Sequence, residues 1–286
     1  MRSTLEPQIH SAQKPPTRGK NANRYEPDEI LWTFRFANSG VLIPAVFTPG
    51  TTRLKGFMHR TLFYFIAFCS TLSSAQSVEP IPAFTAGSRI LFQGDSITDG
   101  NRGRSADPNH ILGHGYVFIT AARHGAEFPS LNLDFFNRGV SGNTVRELQK
   151  RWATDTLDLK PDLLSVLIGV NDGSRNVPHE EYEKTYDALL AAAREANPKL
   201  KLVLCAPFEK HVGRPVSDDL VARRDIVAKL ATKYGAAFVD FQKIFDTGTA
   251  NAMPADYWIW DRVHPTYRGH QLMADEWERV VRAFWK

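Results

Sequence analysis

A serine, two sets of oxyanion donors and an Asp–His pair are distributed over four short segments of this chain. They are Gly94-Asp95-Ser96-Ile97-Thr98-Asp99, Asn137-Arg138-Gly139-Val140-Ser141-Gly142, Gly169-Val170-Asn171-Asp172 and Asp261-Arg262-Val263-His264. Together these residue types suit acyl transfer through a serine. A serine hydroxyl is a weak nucleophile at its free pKa and needs a base within hydrogen-bond reach. Asp261 and His264 are three residues apart, a spacing that lets one turn bring the carboxylate onto the imidazole, fix its tautomer and aim the other ring nitrogen outward as a base. The negative oxygen of a tetrahedral intermediate needs donors already in place. The backbone N–H of Ser96, the backbone N–H of Gly142 and the side-chain amide of Asn171 are the candidates. Each residue has a plainer use when taken alone: Ser96 as a helix N-cap, Gly142 in a tight turn, Asn171 as a loop cap. The four segments in combination favour the chemical reading.

The elements that must position these residues alternate between short apolar runs and longer helical patterns. Strands are expected over Arg89–Gln93, Leu131–Phe136, Leu163–Ile168, Leu200–Cys205 and Ala236–Phe241. Helices are expected over Tyr116–Glu127, Thr144–Leu157, His179–Asn197, Asp218–Tyr234 and about Thr266–Phe284. Such alternation implies right-handed crossovers and a parallel sheet covered on both faces. The fold class is therefore a three-layer α/β/α domain with a five-stranded parallel sheet, spanning residues 80–286. Ligands bind such sheets at the carboxyl ends of the strands. Ser96 follows the first strand, Gly142 the second and Asn171 the third, while Asp261 and His264 precede the last helix.

The formal net charge of +4 does not describe this domain. Of 35 Lys/Arg and 31 Asp/Glu, eight and four lie in residues 1–57 and Arg60 adds a ninth base, which leaves 26 bases against 27 acids and a net of −1. Nothing in that balance points to a nucleic-acid partner. Residues 58–75 read as a signal peptide: Met58-His59-Arg60 is a short basic start, Leu62 to Cys69 an apolar run, and Ser73-Ser74-Ala75 a small-residue exit. The run is shorter than the ~20 residues that span a bilayer, so no membrane span is expected. Phe68 is too bulky for the position before a lipidated cysteine. Residues 1–57, rich in Pro, Asn, Arg and Thr, are expected to be an unstructured extension upstream of a start at Met58, and the mature protein to be secreted or periplasmic.

Cofactor and metal signals are weak. His110 and His114 are four apart, but Pro108, Gly113 and Gly115 argue against a continuous helix carrying both. There is no His-Glu-x-x-His, no pair of cysteines downstream of residue 75 and no phosphate-binding glycine loop, so no cofactor is implied. Cys205 falls in a buried-strand pattern and reads as an inert core thiol. A Gly-x-Ser-x-Gly elbow is also missing, which argues against an ordinary α/β-hydrolase.

The four segments resemble the characteristic blocks of the SGNH (GDSL-type) hydrolase superfamily. That resemblance implies a flavodoxin-like fold and esterase or lipase activity, with Ser96 as nucleophile, Gly142 and Asn171 in the oxyanion hole, and Asp261 and His264 as orienter and base. Asn137 through Leu148, Arg151-Trp152 and Trp260 through Pro265 resemble more narrowly the bacterial acetylxylan esterases of that superfamily. The implied reaction is removal of acetyl groups from xylose units of hemicellulose or its oligosaccharides, and a homo-oligomer is compatible with the resemblance. Two features depart from those relatives, the apparent signal peptide and Gly173-Ser174, where a bulkier residue tends to precede the arginine. A lysophospholipase or thioesterase of the same superfamily is the alternative enzyme, and a non-catalytic carbohydrate-binding protein the alternative outside enzymes. Tyr116, Arg175, Trp258 and Trp260 are candidate substrate contacts, with packing in the core or an interface as the plainer use of Trp260.

Overall fold

Five parallel strands lie at the centre of the chain in the order β2-β1-β3-β4-β5. A computed structural model describes residues 79–210, 215–247 and 252–286. The extension and signal segment expected over 1–57 and 58–75 fall outside the described residues. The strands are β1 (Arg89–Gly94), β2 (Asp134–Asn137), β3 (Leu163–Leu167), β4 (Lys201–Cys205) and β5 (Ala237–Val239). All four pairings are parallel, with Ile90 opposite Phe135 on one side and Leu163 on the other. This is the doubly wound flavodoxin-like order, in which the chain reverses direction between β1 and β3.

Successive residues of a strand face opposite sides, and the apolar residues here divide accordingly. Ile90, Phe92, Val203 and Cys205 point into one core with Tyr116, Met273 and Trp277. Leu91, Leu164, Val166, Leu202 and Leu204 point into the other with Tyr182, Tyr186, Leu190 and Val227. On the first face pack α2 (Tyr116–Glu127) and α9 (Tyr267–Phe284). On the second pack α3 (Val145–Lys150), α5 (His179–Ala196) and α6 (Asp218–Tyr234). Short helices α1 (Ser96–Asp99), α4 (Val170–Ser174), α7 (Phe241–Asp246) and α8 (Ala255–Trp258) complete the described α-helices. None of the described helices is long and apolar enough to cross a membrane.

Three boundaries differ from the sequence expectation by two residues or more. Pro129–Leu131 forms a 3-10 turn ending on Asn132 at φ 46°, so β2 starts at Asp134 rather than Leu131. The helix expected over Thr144–Leu157 has Thr144 as its N-cap and stops at Lys150, and a π-type turn takes over at Ala153–Leu157. That wider turn delivers the Asp155 carbonyl and the Thr156 hydroxyl to the amide of buried Gln93, at 2.7 and 2.8 Å. Finally, β5 ends at Val239 because the Asp240 carboxylate caps a new helix beginning at Phe241.

Candidate active site

Ser96 stands at the first position of α1, directly after β1. Asp95, rather than Ser96, is the N-cap: its carboxylate accepts the N–H of Ile97 at 3.0 Å. The serine hydroxyl is thereby left for other partners, and its Oγ lies 2.8 Å from His264 Nε2.

His264 is held by the turn that precedes α9. Asp261 Oδ1 accepts the N–H of Val263 at 3.1 Å and of His264 at 2.7 Å, and Oδ2 lies 2.6 Å from His264 Nδ1. Arg262 takes φ 81° to allow this, a left-handed conformation that costs a non-glycine residue on the order of 1 kcal/mol. Burial pushes the Asp261 carboxyl up, but the two N–H groups and the imidazole outweigh it and hold the group below the ordinary carboxylate value. An ionised Asp261 at Nδ1 leaves Nε2 as the acceptor facing Ser96, the tautomer a general base requires. The Trp260 N–H bonds the His264 carbonyl at 3.1 Å, and Ile259 bridges Pro265, so the turn is closed on itself.

The loop after β2 is fastened to the serine turn. Val140 N–H donates to the Gly94 carbonyl at 3.0 Å, and Asp99 accepts both the N–H and the hydroxyl of Ser141 at 2.9 and 2.8 Å. A Cβ at Gly139 would meet the Asp99 nitrogen at 2.3 Å, so only glycine permits this approach. Gly142 then takes φ 77°, the left-handed region that glycine enters without steric cost. The Asn171 amide donates to the Asn143 carbonyl at 3.0 Å, joining the loop after β3 to the loop after β2. That bond uses one of the two Asn171 N–H donors. Among the described residues, no group accepts from the backbone N–H of Ser96 or of Gly142. Three donors from three adjacent strand ends are thus left uncommitted.

Several residues to which the sequence reading gave no role support this arrangement. Arg151 donates to the Gly94 carbonyl at 3.0 Å, the Arg138 carbonyl at 2.7 Å and Asn143 Oδ1 at 2.7 Å, which ties the serine turn to the glycine loop. Asp172, next to Asn171, is buried and accepts the Val145 N–H at the start of α3. Burial pushes its carboxyl up to about 6. Asp95 is 1% exposed, and burial pushes it up to about 7 against the opposing Ile97 N–H, with nearby Asp172 adding to the rise. A carboxyl whose pKa is higher folded than unfolded stabilises the fold at low pH, and that contribution is lost as pH rises from about 4 towards 7. Asp95→Asn, which keeps an oxygen for Ile97 and carries no charge, should therefore gain melting temperature relative to the parent between pH 5 and pH 8. A difference that stays constant over that range would mean that Asp95 does not titrate there.

The remaining candidates separate cleanly. Tyr116 is fully buried with its hydroxyl 3.1 Å from Thr98 Oγ1, and Trp258 is buried in the core, so neither is a substrate contact. Trp260 lies in neither core: it is 66% exposed and lines an open cleft of about 490 Å3 together with Ser96 and His264. Arg175 is exposed and places a guanidinium nitrogen 3.1 Å from where a Cβ at Gly142 would stand. His114 lines the cleft as well. So does His270, whose Nδ1 accepts the Tyr116 N–H at 3.2 Å and which burial, reinforced by His264, pushes down to about 4. Cys205 is a buried free thiol, pushed up to about 12 by burial, as expected of an inert core residue.

Comparison with known proteins agrees with this geometry. Residues 92–272 match the GDSL-like Lipase/Acylhydrolase family. The chain is 34% identical over 215 residues to an acetylxylan esterase of Geobacillus stearothermophilus, an alignment covering 70% of this chain and 96% of that protein. A crystal structure of an acetylxylan esterase from the same organism superposes with a TM-score of 0.63 at 32% identity, covering 70% of this chain and 96% of the other. A crystal structure of a GDSL-like lipase candidate from Parabacteroides merdae superposes with a TM-score of 0.66 at 36% identity, over 72% of this chain and all of the other. The chain belongs to the GDSL-like lipase/acylhydrolase family and is a carboxylic ester hydrolase.

Proposed function

We propose that this hydrolase removes O-acetyl groups from carbohydrate, of the xylan or xylo-oligosaccharide type, through an acetyl-serine intermediate. Ser96, His264 and Asp261 are the catalytic residues in this reading. The observation that carries it is the unbroken chain from Ser96 Oγ through His264 to Asp261, at 2.8 and 2.6 Å, beside three uncommitted N–H donors. Ser96 Oγ attacks the acetyl carbonyl while its proton passes to His264 Nε2. The oxyanion accepts hydrogen bonds from Ser96 N–H, Gly142 N–H and the free N–H of the Asn171 amide. As the tetrahedral species collapses, the C–O bond to the sugar breaks and His264 returns the proton to the departing oxygen. Water then attacks the acetyl-serine with His264 again as base, acetate leaves, and the proton goes back to Ser96.

Two further points support the carbohydrate assignment. A relative covered over 96% of its length is an acetylxylan esterase. The cleft is wide and carries Asn101, His114 and Ser141 beside the reacting pair, groups suited to a hydroxylated substrate. Residues 80–286 constitute the hydrolase domain in this proposal, and 58–75 the signal peptide that directs it to the periplasm or outside the cell.

Acetate release from acetylated xylo-oligosaccharides, measured beside aryl esters of increasing acyl length, tests the substrate class. Release from the oligosaccharides, with aryl-ester rates falling steeply beyond short chains, is the expected result. Preference for long acyl chains without acetate release would identify a lipase or thioesterase instead. Asn171→Ala should lower kcat about 100- to 1,000-fold, the loss typical of one oxyanion donor. Its stability should fall by only about 1 kcal/mol, for the lost bond to Asn143. Unchanged turnover would remove Asn171 from the oxyanion hole.

A further inference from the structure

Two aromatic rings stand at the mouth of the cleft that holds the reacting pair. Trp260 is 66% and Tyr267 is 68% exposed, more than any other large apolar side chain among the described residues. Both line the cleft with Ser96 and His264. Rings left in water in this way forgo the gain that burial would bring. Their backbone is nonetheless fixed: Trp260 directly precedes Asp261 and its N–H is bound to the His264 carbonyl, while Tyr267 opens α9 just after the Thr266 cap. The Arg268 guanidinium lies 4.3 Å from the centroid of the Tyr267 ring and covers part of it. The rings are therefore held in a set relation to the nucleophile with apolar surface still open.

From this juxtaposition we infer that Trp260 and Tyr267 form a stacking platform for a sugar unit next to the one that bears the acetyl group. The inference rests on the carbohydrate-ester reading and gives it a length requirement. A pyranose ring offers an apolar face of C–H groups and a rim of hydroxyls. Trp and Tyr match that character, combining a broad apolar face with a polar edge. Asn101 and His114 in the same cleft supply hydrogen-bonding partners for the rim. A fatty acyl chain would instead call for an enclosed apolar channel, whereas this cleft is open and mixed in character. The platform makes an acetylated oligosaccharide a better substrate than an acetylated monosaccharide, because only the oligosaccharide reaches both the rings and Ser96.

The test compares acetylated xylotriose with acetylated methyl xyloside, using full-length parent, Trp260→Ala, Tyr267→Ala and Trp260→Phe. Phe118→Ala, which removes an exposed ring on α2, is the control. Each alanine variant in the cleft should raise KM for the oligosaccharide about tenfold, equivalent to ~1.4 kcal/mol of lost binding, with kcat reduced less than about twofold. The preference for oligosaccharide over monosaccharide should fall by a similar factor, and Trp260→Phe should restore most of it. Equal losses of kcat on both substrates would overturn the inference, since the rings would then merely support the Asp–His turn. Unaltered selectivity would also overturn it. So would a KM change accompanied by a change of oligomeric state in size-exclusion chromatography, because the rings would then be sealed by a second copy of the chain. If the parent releases acetate from neither sugar, the carbohydrate reading fails first and takes the platform with it.

Discussion

Replacing Ser96 with alanine is expected to lower kcat for ester hydrolysis by about a million-fold, the scale seen when a catalytic serine is removed from a hydrolase. The hydroxyl has one described partner, His264 Nε2 at 2.8 Å, and Ser96 is not the cap of its helix. Its removal therefore deletes the proposed nucleophile without loosening α1, whose start is held by the Asp95 carboxylate on the Ile97 N–H. Melting temperature should stay within a degree or two of the parent, a small shift for a domain of this size. Loss of activity together with a large fall in melting temperature would point to a structural role for the hydroxyl. Comparing initial rates with thermal denaturation of the same preparation distinguishes the two.

His264→Ala is expected to cost a comparable amount, because a serine without its base returns to ordinary alcohol reactivity. The losses should not add. A Ser96→Ala, His264→Ala double variant should be no slower than either single variant, since the residues act as one unit. Multiplied losses in the double variant would mean that the two groups serve separate steps. The imidazole is not what holds its own turn in place. Asp261 retains the N–H groups of Val263 and His264 when the ring is removed, so the turn and its left-handed Arg262 have reason to persist. Any activity left in either single variant would come from the three N–H donors and substrate binding alone.

The candidate site residues were legible because they occupy fixed places relative to strand ends or within one turn. Ser96, Asn171 and the Gly142 loop follow β1, β3 and β2, and the expected boundaries of Tyr116–Glu127 and Asp218–Tyr234 coincide with α2 and α6. Hydrophobic alternation sufficed for β1, β3 and β4, whose side chains divide between two cores. It failed at Leu131, where a 3-10 turn carries apolar residues in a strand-like run, and at Lys150, where the need to reach Gln93 replaces α-helical spacing with a π-type turn. Both are tertiary demands that no local periodicity encodes.

The surroundings of the site were less legible, for a different reason. Asp95 and Asp172 are polar residues in loop-like segments, and nothing in their neighbours' identities announces that both are buried. Arg151 sits in an apparently amphipathic helix, yet it turns inward to three elements at once. Trp260 had packing as its plainer use, and only the fold reveals that it faces the cleft instead. Sequence spacing identifies groups that meet within one turn, such as Asp261 and His264. It does not identify long side chains that meet across loops.

The most direct test of the central claim is to acid-quench the parent during its first turnovers of an acetyl ester and locate the acetyl group by peptide mass spectrometry. The account predicts an acetyl group on the peptide containing Ser96, on its hydroxyl, and none in the Ser96→Ala variant. An acetyl group on a different side chain, or undiminished turnover by Ser96→Ala, would contradict it.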